Sequence, residues 1–98
     1  MKRQEFDRAD FEGCLREAFG GKPGERRAVA RAAADLSDSE QYLDDAGIDL
    51  TPAFVVGELE NAPLGPPSKR WNWWIQAMEV AYGGYEQFTV RQWESIEE

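Results

Sequence analysis

Large apolar residues recur at helical spacing between residues 69 and 82, a segment that holds three of the four tryptophans of the chain. Steps of three, four and seven residues place the largest side chains on one face of a helix: Trp71, Trp74, Ile75, Met78 and Tyr82. A helix with so wide an apolar face is usually buried. The pattern therefore predicts a Trp-rich helix at the centre of the core.

A second apolar strip on the same helix consists of Trp73, Ala77 and Val80, and we call these three residues the Trp73 strip. A narrow polar edge borders the strip and is formed by Asn72, Gln76 and Glu79. Apolar patches with a polar rim often mark contact sites, and tryptophan is enriched at the energetic centres of interfaces. We therefore expect these six residues to bind a protein partner or a second copy of the chain. Two alternatives stay open: the strip belongs to the core, or the aromatic side chains line a small-molecule or cation pocket.

Start and stop signals predict two helices in the first 36 residues. The first helix is expected to begin after Asp7 or Asp10 and to end at Gly20–Gly21, because glycine suits the left-handed conformation past a helix C-terminus. Its apolar face collects Phe11, Cys14, Leu15, Ala18 and Phe19. Pro23 fits the first turn of the second helix. The buried face of that helix carries Val29, Ala32, Ala33 and Leu36.

A short third helix is predicted between residues 37 and 47. Ser37 and Glu40 have the spacing of a capping box, and Ser39 is an alternative cap. The apolar residues of this helix are Tyr42, Leu43 and Ala46, and Gly47 ends it.

A fourth helix over residues 52–61 is predicted from Thr51 as a cap and Pro52 in the first turn. The β-favouring run Phe54-Val55-Val56 keeps a strand over 53–59 open. A proline-rich connector, 62–67, then leads to Ser68, which is expected to cap the Trp-rich helix.

The segment 85–93 is ambiguous. Phe88, Val90 and Gln92 alternate as in a strand, whereas Thr89 and Gln92 have the spacing of a capping box. A helix is favoured, because a lone strand would have no partner. The predicted fold is all-α: a compact bundle of five to six short helices around a central Trp-rich helix, residues 69–82, in one domain, 1–98.

Charge narrows the classes of partner. Nineteen acidic residues against eleven basic ones give a net charge of −8, and no basic residue lies between Arg31 and Lys69. Such a field repels nucleic acid and anionic membranes, and it favours a basic protein, cations or high salt. The acidic interval 35–60 therefore predicts an alternative function, a decoy or regulator that occupies the basic site of a nucleic-acid-binding protein. Salt adaptation explains the same acidity, and that alternative also stays open.

Few residues are suited to catalysis or metal binding. Histidine is absent and Cys14 is the only cysteine, which excludes an internal disulfide and argues against a zinc site. Cys14 lies on an apolar face and is expected to be a buried core residue. Glu79 is the one acid–base candidate, because aromatic neighbours could desolvate it. It supports a second alternative function, a small-molecule binder or enzyme that uses Glu79 with Tyr82 or Tyr85. No cofactor is expected.

One local group of basic residues departs from the overall acidity: Lys22, Arg26, Arg27 and Arg31. Arg27 and Arg31 share a helical stripe, four residues apart. The group is typical of an ordinary solvated helix surface, and the alternatives are a docking patch for an acidic partner or, against the net charge, a nucleic-acid contact.

The favoured function is a non-enzymatic interaction module. No apolar run follows the first three residues, and the longest run, 53–56, is too short to span a bilayer. A cytoplasmic location is therefore predicted. The Arg-Trp-Asn-Trp-Trp motif that begins at Arg70, with the later Ala-Tyr-Gly-Gly-Tyr, is distinctive enough to be a family signature, but the sequence attaches no activity to it.

Overall fold

The computed structural model describes residues 6–90, and these residues form five α-helices and one 3-10 helix. The helices are α1 (Arg8–Phe19), α2 (Pro23–Ser39), α3 (Gln41–Ala46), α4 (Pro52–Leu59), α5 (Pro67–Ala81) and the 3-10 helix (Glu86–Phe88). Residues 6–90 contain no strand, so the all-α prediction is confirmed and the strand alternative for 53–59 is wrong. Within the same residues, no helix is long and apolar enough to cross a membrane.

Side-chain caps begin α1 and α4 where the sequence predicts them. The carboxylate of Asp7 accepts a hydrogen bond from the backbone N–H of Asp10 at 3.0 Å. The hydroxyl of Thr51 accepts one from the N–H of Phe54 at 3.2 Å, and Pro52 occupies the first turn. Each cap satisfies an N–H that a helix start would otherwise leave unpaired.

Two predicted caps are wrong. Ser37 is buried in the last turn of α2, which continues to Ser39, and Glu40 in a left-handed conformation (φ 61°) separates α2 from α3. Ser68 lies inside the first turn of α5, because the helix begins at Pro67 and ends at Ala81. A proline is well suited to that first position, since it lacks the N–H that a helix start leaves unpaired.

The helices pack around α2 and α5. α2 contacts α1, α3, α5 and the 3-10 helix, while α5 also contacts α4 and the 3-10 helix. α4 packs against α1 as well as α5. The predicted buried residues of α2 are in the core, as are Trp71, Trp74 and Ile75 of α5. The two tryptophan rings meet at a centroid distance of 5.5 Å, and Tyr42 of α3 lies 5.4 Å from Trp74.

Several residues of the predicted apolar faces are less buried than expected, Phe19, Leu43 and Ala46 among them. Cys14 and Met78 are half-buried, and Ala18 is exposed. Tyr82 is also exposed, because α5 ends at Ala81 and the chain turns away before another helical position is reached. Partial burial raises the pKa of the Cys14 thiol, and the nearby carboxylates of Asp10 and Glu17 act in the same direction.

The favoured helix over 85–93, with Thr89 as its cap, falls largely outside the described residues and stays a prediction. Residues 86–88 form the short 3-10 helix, and Thr89 is extended. At this point the side chain of Asn72 pairs with the backbone of Val90. Residues 91–93 of this prediction lie outside the described residues.

Candidate functional site

Trp71, the first residue of the Trp-Asn-Trp-Trp motif, is fully buried in the core. Its indole N–H donates a hydrogen bond to the carbonyl oxygen of Phe88 at 2.8 Å. Buried indole N–H groups need such an acceptor. Trp71 therefore attaches the 3-10 helix to α5.

Asn72 pairs with the backbone of Val90 through both ends of its amide. Its Nδ2 donates to the carbonyl oxygen of Val90 at 2.8 Å, and its Oδ1 accepts from the N–H of Val90 at 2.9 Å. These are the two bonds that a neighbouring strand would supply. The predicted polar edge thus begins with a half-buried side chain that already binds its own chain.

Trp74, the last residue of the motif, is only 2% exposed. Its indole N–H donates to Oε1 of Glu58 at 3.1 Å, so the side chain links α5 to α4. Its ring also packs beside Tyr42, which lies 6.0 Å from Phe54. Trp74 is therefore shared by three helices.

Trp73 differs from the other motif residues. Its side chain is 40% exposed, and within residues 6–90 it makes no hydrogen bond or ring contact. Val80, two helical turns further on, is 85% exposed, and Ala77 between them is half-buried. The Trp73 strip therefore presents an indole face and an isopropyl group on the outer surface of α5.

The rest of the predicted polar edge is divided between solvent and the protein. Gln76 is exposed. Glu79 is half-buried, and its Oε1 accepts a hydrogen bond from the N–H of Tyr85 at 2.7 Å. Of the three edge residues, Gln76 is thus the one whose polar group faces solvent rather than a backbone partner. That these residues and the Trp73 strip bind a partner stays a prediction.

Glu79 serves as a support for the turn that follows α5. Glu79 accepts a hydrogen bond from the backbone N–H of Tyr85, and Tyr85 is buried. The hydroxyl of Tyr85 in turn donates a hydrogen bond to Oδ2 of Asp45 at 2.9 Å. Burial, followed by this hydrogen bond, raises the pKa of Tyr85 well above its ordinary value. Gln41 adds a further bond to the carbonyl oxygen of Gly84 at 2.7 Å. The turn is consequently attached to both α3 and α5.

Three cavities of about 640, 460 and 170 Å³ lie along other parts of the described surface. Their walls come from α1, α2, the loop before α4 and the segment 87–90, and Glu79 is not among the lining residues. Within residues 6–90, no three potential metal ligands lie close enough to hold an ion.

Glu25 is an important residue that the sequence analysis did not single out. It is 2% exposed, and its carboxylate accepts the N–H of Lys22 at 3.3 Å and both the N–H and the hydroxyl of Ser68 at 2.8 Å. A negative charge is favourable at a helix N-terminus, and Glu25 lies at two of them. Its position three residues after Lys22, the N-cap residue of α2, was the available signal.

Arg70, just before the motif, holds the connector between α4 and α5. Its guanidinium lies 4.4 Å from the ring centroid of Phe19, and it donates to the carbonyl oxygens of Gly65 at 2.8 Å and Leu59 at 3.2 Å. Arg70 therefore contacts α1 through Phe19 and also binds the chain that leads from α4 to the start of α5. Trp73 remains the exception within the Arg-Trp-Asn-Trp-Trp sequence.

The geometry defines a small all-α domain in which one helix joins the remaining elements through a Trp-Asn-Trp-Trp motif. The model of the WNWW domain family matches residues 1–79, and the chain belongs to that family. In one-letter code the family name spells residues 71–74. No curated protein and no solved structure matches the chain.

Proposed function

We propose that this protein is a non-enzymatic interaction module that binds a partner protein through the Trp73 strip. One observation carries the proposal. The side chains of Trp71, Asn72 and Trp74 are all hydrogen-bonded to other parts of the chain, whereas the side chain of Trp73 is exposed and makes no hydrogen bond within residues 6–90. Folding therefore accounts for three residues of the motif and leaves the fourth available for contact.

The exposed side chains suit a contact with an apolar cleft. An indole contributes a large, rigid apolar surface, and tryptophan residues that enter a pocket often account for 2 kcal/mol or more of binding, roughly a 30-fold change in affinity. Gln76 supplies a polar group beside the strip that can bond at the rim of such a cleft.

The size of the strip favours a foreign partner over a second copy. Trp73 and Val80 are seven residues apart, about 10 Å along the helix. A stable symmetric dimer buries roughly 800 Å² on each partner, much more than three side chains provide. A partner that encloses Trp73 can instead contribute most of the contact area from its own cleft.

Charge defines the chemistry of the partner. Two copies of a chain with a net charge of −8 repel each other. Carboxylates also accompany α5 on two sides, since Glu58 bonds to Trp74 and Glu79 lies at the C-terminal end of the strip. We therefore assign as partner a cytoplasmic protein with an apolar cleft that is bordered by lysine or arginine residues.

The test uses the full chain and two matched variants. Trp73→Gln removes the exposed indole, and Leu64→Gln removes another exposed apolar side chain, 79% exposed, from the connector before α5. Each protein is immobilised and exposed to host lysate at the host's own salt concentration. A captured protein is then purified, and its Kd for all three chains is measured by calorimetry. We expect Trp73→Gln to weaken binding by about 30-fold and Leu64→Gln by less than about twofold.

The other outcomes each overturn the assignment. Equal binding by wild type and Trp73→Gln removes the strip from the interface. Equal binding that also disappears at high salt supports the acidic-decoy function in its place. If sedimentation velocity shows that the wild type is a dimer and that Trp73→Gln is a monomer, the strip binds a second copy of the chain. Circular dichroism on each variant confirms that the chains compared are folded.

A further inference from the structure

Two cavities meet at a pair of arginines on α2. A cavity of about 640 Å³ between α1 and α2 and a groove of about 460 Å³ between α2 and the segment 87–90 are both lined by Arg27 and Arg31. Arg8 of α1 joins them in the first cavity. None of these residues belongs to the Trp73 strip, so this surface is independent of the proposed function.

The two guanidinium groups have no partner among residues 6–90. Both side chains are exposed, and neither makes an ion pair or a hydrogen bond there. Like charges four residues apart repel each other and destabilise a helix. The carboxylates of Asp7, Glu12 and Asp35 line the same cavities, yet none of them pairs with either arginine. An added acceptor would relieve the repulsion.

The groove combines this charge with an apolar wall. Ala28 and Ala32 lie on its α2 side, with Phe88 and Val90 opposite. The small side chains leave room beside the arginines, and Phe88 is held in place because its carbonyl oxygen accepts the indole N–H of Trp71. A ligand in the groove would therefore meet apolar and cationic groups together.

The length of the groove suits a peptide segment. Its α2 wall runs from Gly24 to Asp35. Eleven helical steps cover about 16 Å, the length of about five residues of extended chain at roughly 3.3 Å each. A single small anion would occupy only part of that length.

We propose that the groove binds an extended acidic peptide segment of a partner protein. Two carboxylates on one face of the extended segment pair with Arg27 and Arg31, and the apolar side chain between them, which points to the opposite face, packs against Phe88 and Val90. Guanidinium groups bind carboxylates through two parallel hydrogen bonds, which makes arginine well suited to this contact. A nucleic acid is disfavoured, because the net charge of −8 opposes a long polyanion.

The test measures fluorescence anisotropy of a fluorescein-labelled pentapeptide, Glu-Glu-Leu-Glu-Glu, with the uncharged Gln-Gln-Leu-Gln-Gln as control probe. The proteins are the full chain, Arg27→Gln, Arg31→Gln, the double variant, and Arg16→Gln as a control of equal charge change on the exposed surface of α1. We expect the double variant to bind the acidic probe at least about tenfold more weakly and Arg16→Gln to stay within about twofold, since a hydrogen bond to a charged group is worth about 1.5 kcal/mol.

Each remaining outcome overturns the proposal. Equal binding of the two probes, or equal losses in Arg16→Gln and Arg31→Gln, reduces the effect to overall charge or apolar contact. Displacement of the acidic probe by millimolar inorganic phosphate identifies a small-anion site instead. The chain's own Glu94, Glu97 and Glu98 share the chemistry of the probe. A variant with glutamine at these three positions tests whether they compete with the probe. If this variant binds the acidic probe and the wild type does not, the occupant of the groove is the chain itself and not a partner.

Discussion

At the scale of single residues, the three indole groups of the motif differ in what their N–H groups contact. Trp71 donates to a backbone carbonyl and Trp74 to a carboxylate, and both rings are enclosed by the core. Trp73 has no such acceptor within residues 6–90. The same residue type in one motif therefore serves two purposes, and truncation to alanine separates them.

Trp74→Ala should lower the free energy of unfolding by about 3–5 kcal/mol, because it leaves a large cavity in the core and removes the donor to Glu58. Trp73→Ala should cost less than about 1 kcal/mol, since its ring is partly exposed already. Urea denaturation of both variants, followed by circular dichroism, measures the difference. Equal losses would show that the Trp73 strip belongs to the core.

Tyr85 makes stability depend on alkaline pH. Burial and the bond to Asp45 raise its pKa in the folded chain, so the folded state keeps a proton that the unfolded state releases above about pH 10. The stabilisation is complete below that pH and is lost as the pH rises further. Urea melts from about pH 8 to pH 11 should therefore show a steep decline in wild type and a shallower one in Tyr85→Phe. Parallel declines would contradict this assignment.

At the scale of helices and turns, the sequence correctly predicted the helix boundaries that depend only on residues close together in the chain. Asp7, Thr51 and Gly47 mark helix boundaries through bonds or conformations within a few residues, and the structure has them in those roles. Ser37 and Ser68 were predicted wrongly as caps, because α2 continues past Ser37 to Ser39 and the surroundings of Ser68 depend on a distant helix. Ser68 meets Glu25 from 43 residues away, and Val90 meets Asn72 from 18 residues away.

In the candidate site too, features that depend on neighbouring residues were predicted, and features that depend on distant residues were not. Helical periodicity alone separated the buried face of α5 from the Trp73 strip, because the angle between side chains on one helix is a local property. It could not reveal that Asn72 and Glu79 bind the backbone of the following segment, since the return of that segment depends on the whole fold. Gln76 kept its predicted solvent exposure, as no later segment covers it within residues 6–90.

Asn72→Ala should release the segment after α5 without unfolding the bundle. The change removes both bonds to Val90, each worth about 1 kcal/mol, and leaves the core side chains in place. Native-state hydrogen exchange should show faster exchange of the Val90 amide, with the amides of α2 accelerated only by the global loss of stability. Gln76→Ala is the control on the same helix. Unchanged protection of Val90 in Asn72→Ala would mean that the amide pairing contributes nothing.

At the scale of the whole molecule, charge is separated along the chain. Residues 22–31 hold four basic side chains and one carboxylate. The interval between Arg31 and Lys69 contains no lysine or arginine. The basic part lies on α2, and the acidic part includes α3 and α4. The chain therefore concentrates like charges in one interval, and we expect these charges to repel one another.

Added salt should stabilise the protein by screening that repulsion. Between about 0.1 M and about 1 M potassium chloride, the screening length falls from about 10 Å to about 3 Å. If this relieves roughly 1 kcal/mol, the melting temperature should rise by about 4–8 °C. Thermal melts by circular dichroism provide the measurement, with chloride rather than sulfate because sulfate also strengthens apolar burial. A constant or falling melting temperature would count against both a strained acidic surface and salt adaptation.

The hydrogen bonds between Glu25 and Ser68 make the start of α5 depend on α2. α5 has no capping side chain of its own at its first turn, and Glu25 of α2, 43 residues before Ser68, supplies the acceptor. An excised peptide of α5 would lack that acceptor, and a segment of this length is marginally helical in water. The Trp-Asn-Trp-Trp motif is therefore not a portable linear motif. Its helix depends on α2, and the family match over residues 1–79 contains both members of the pair.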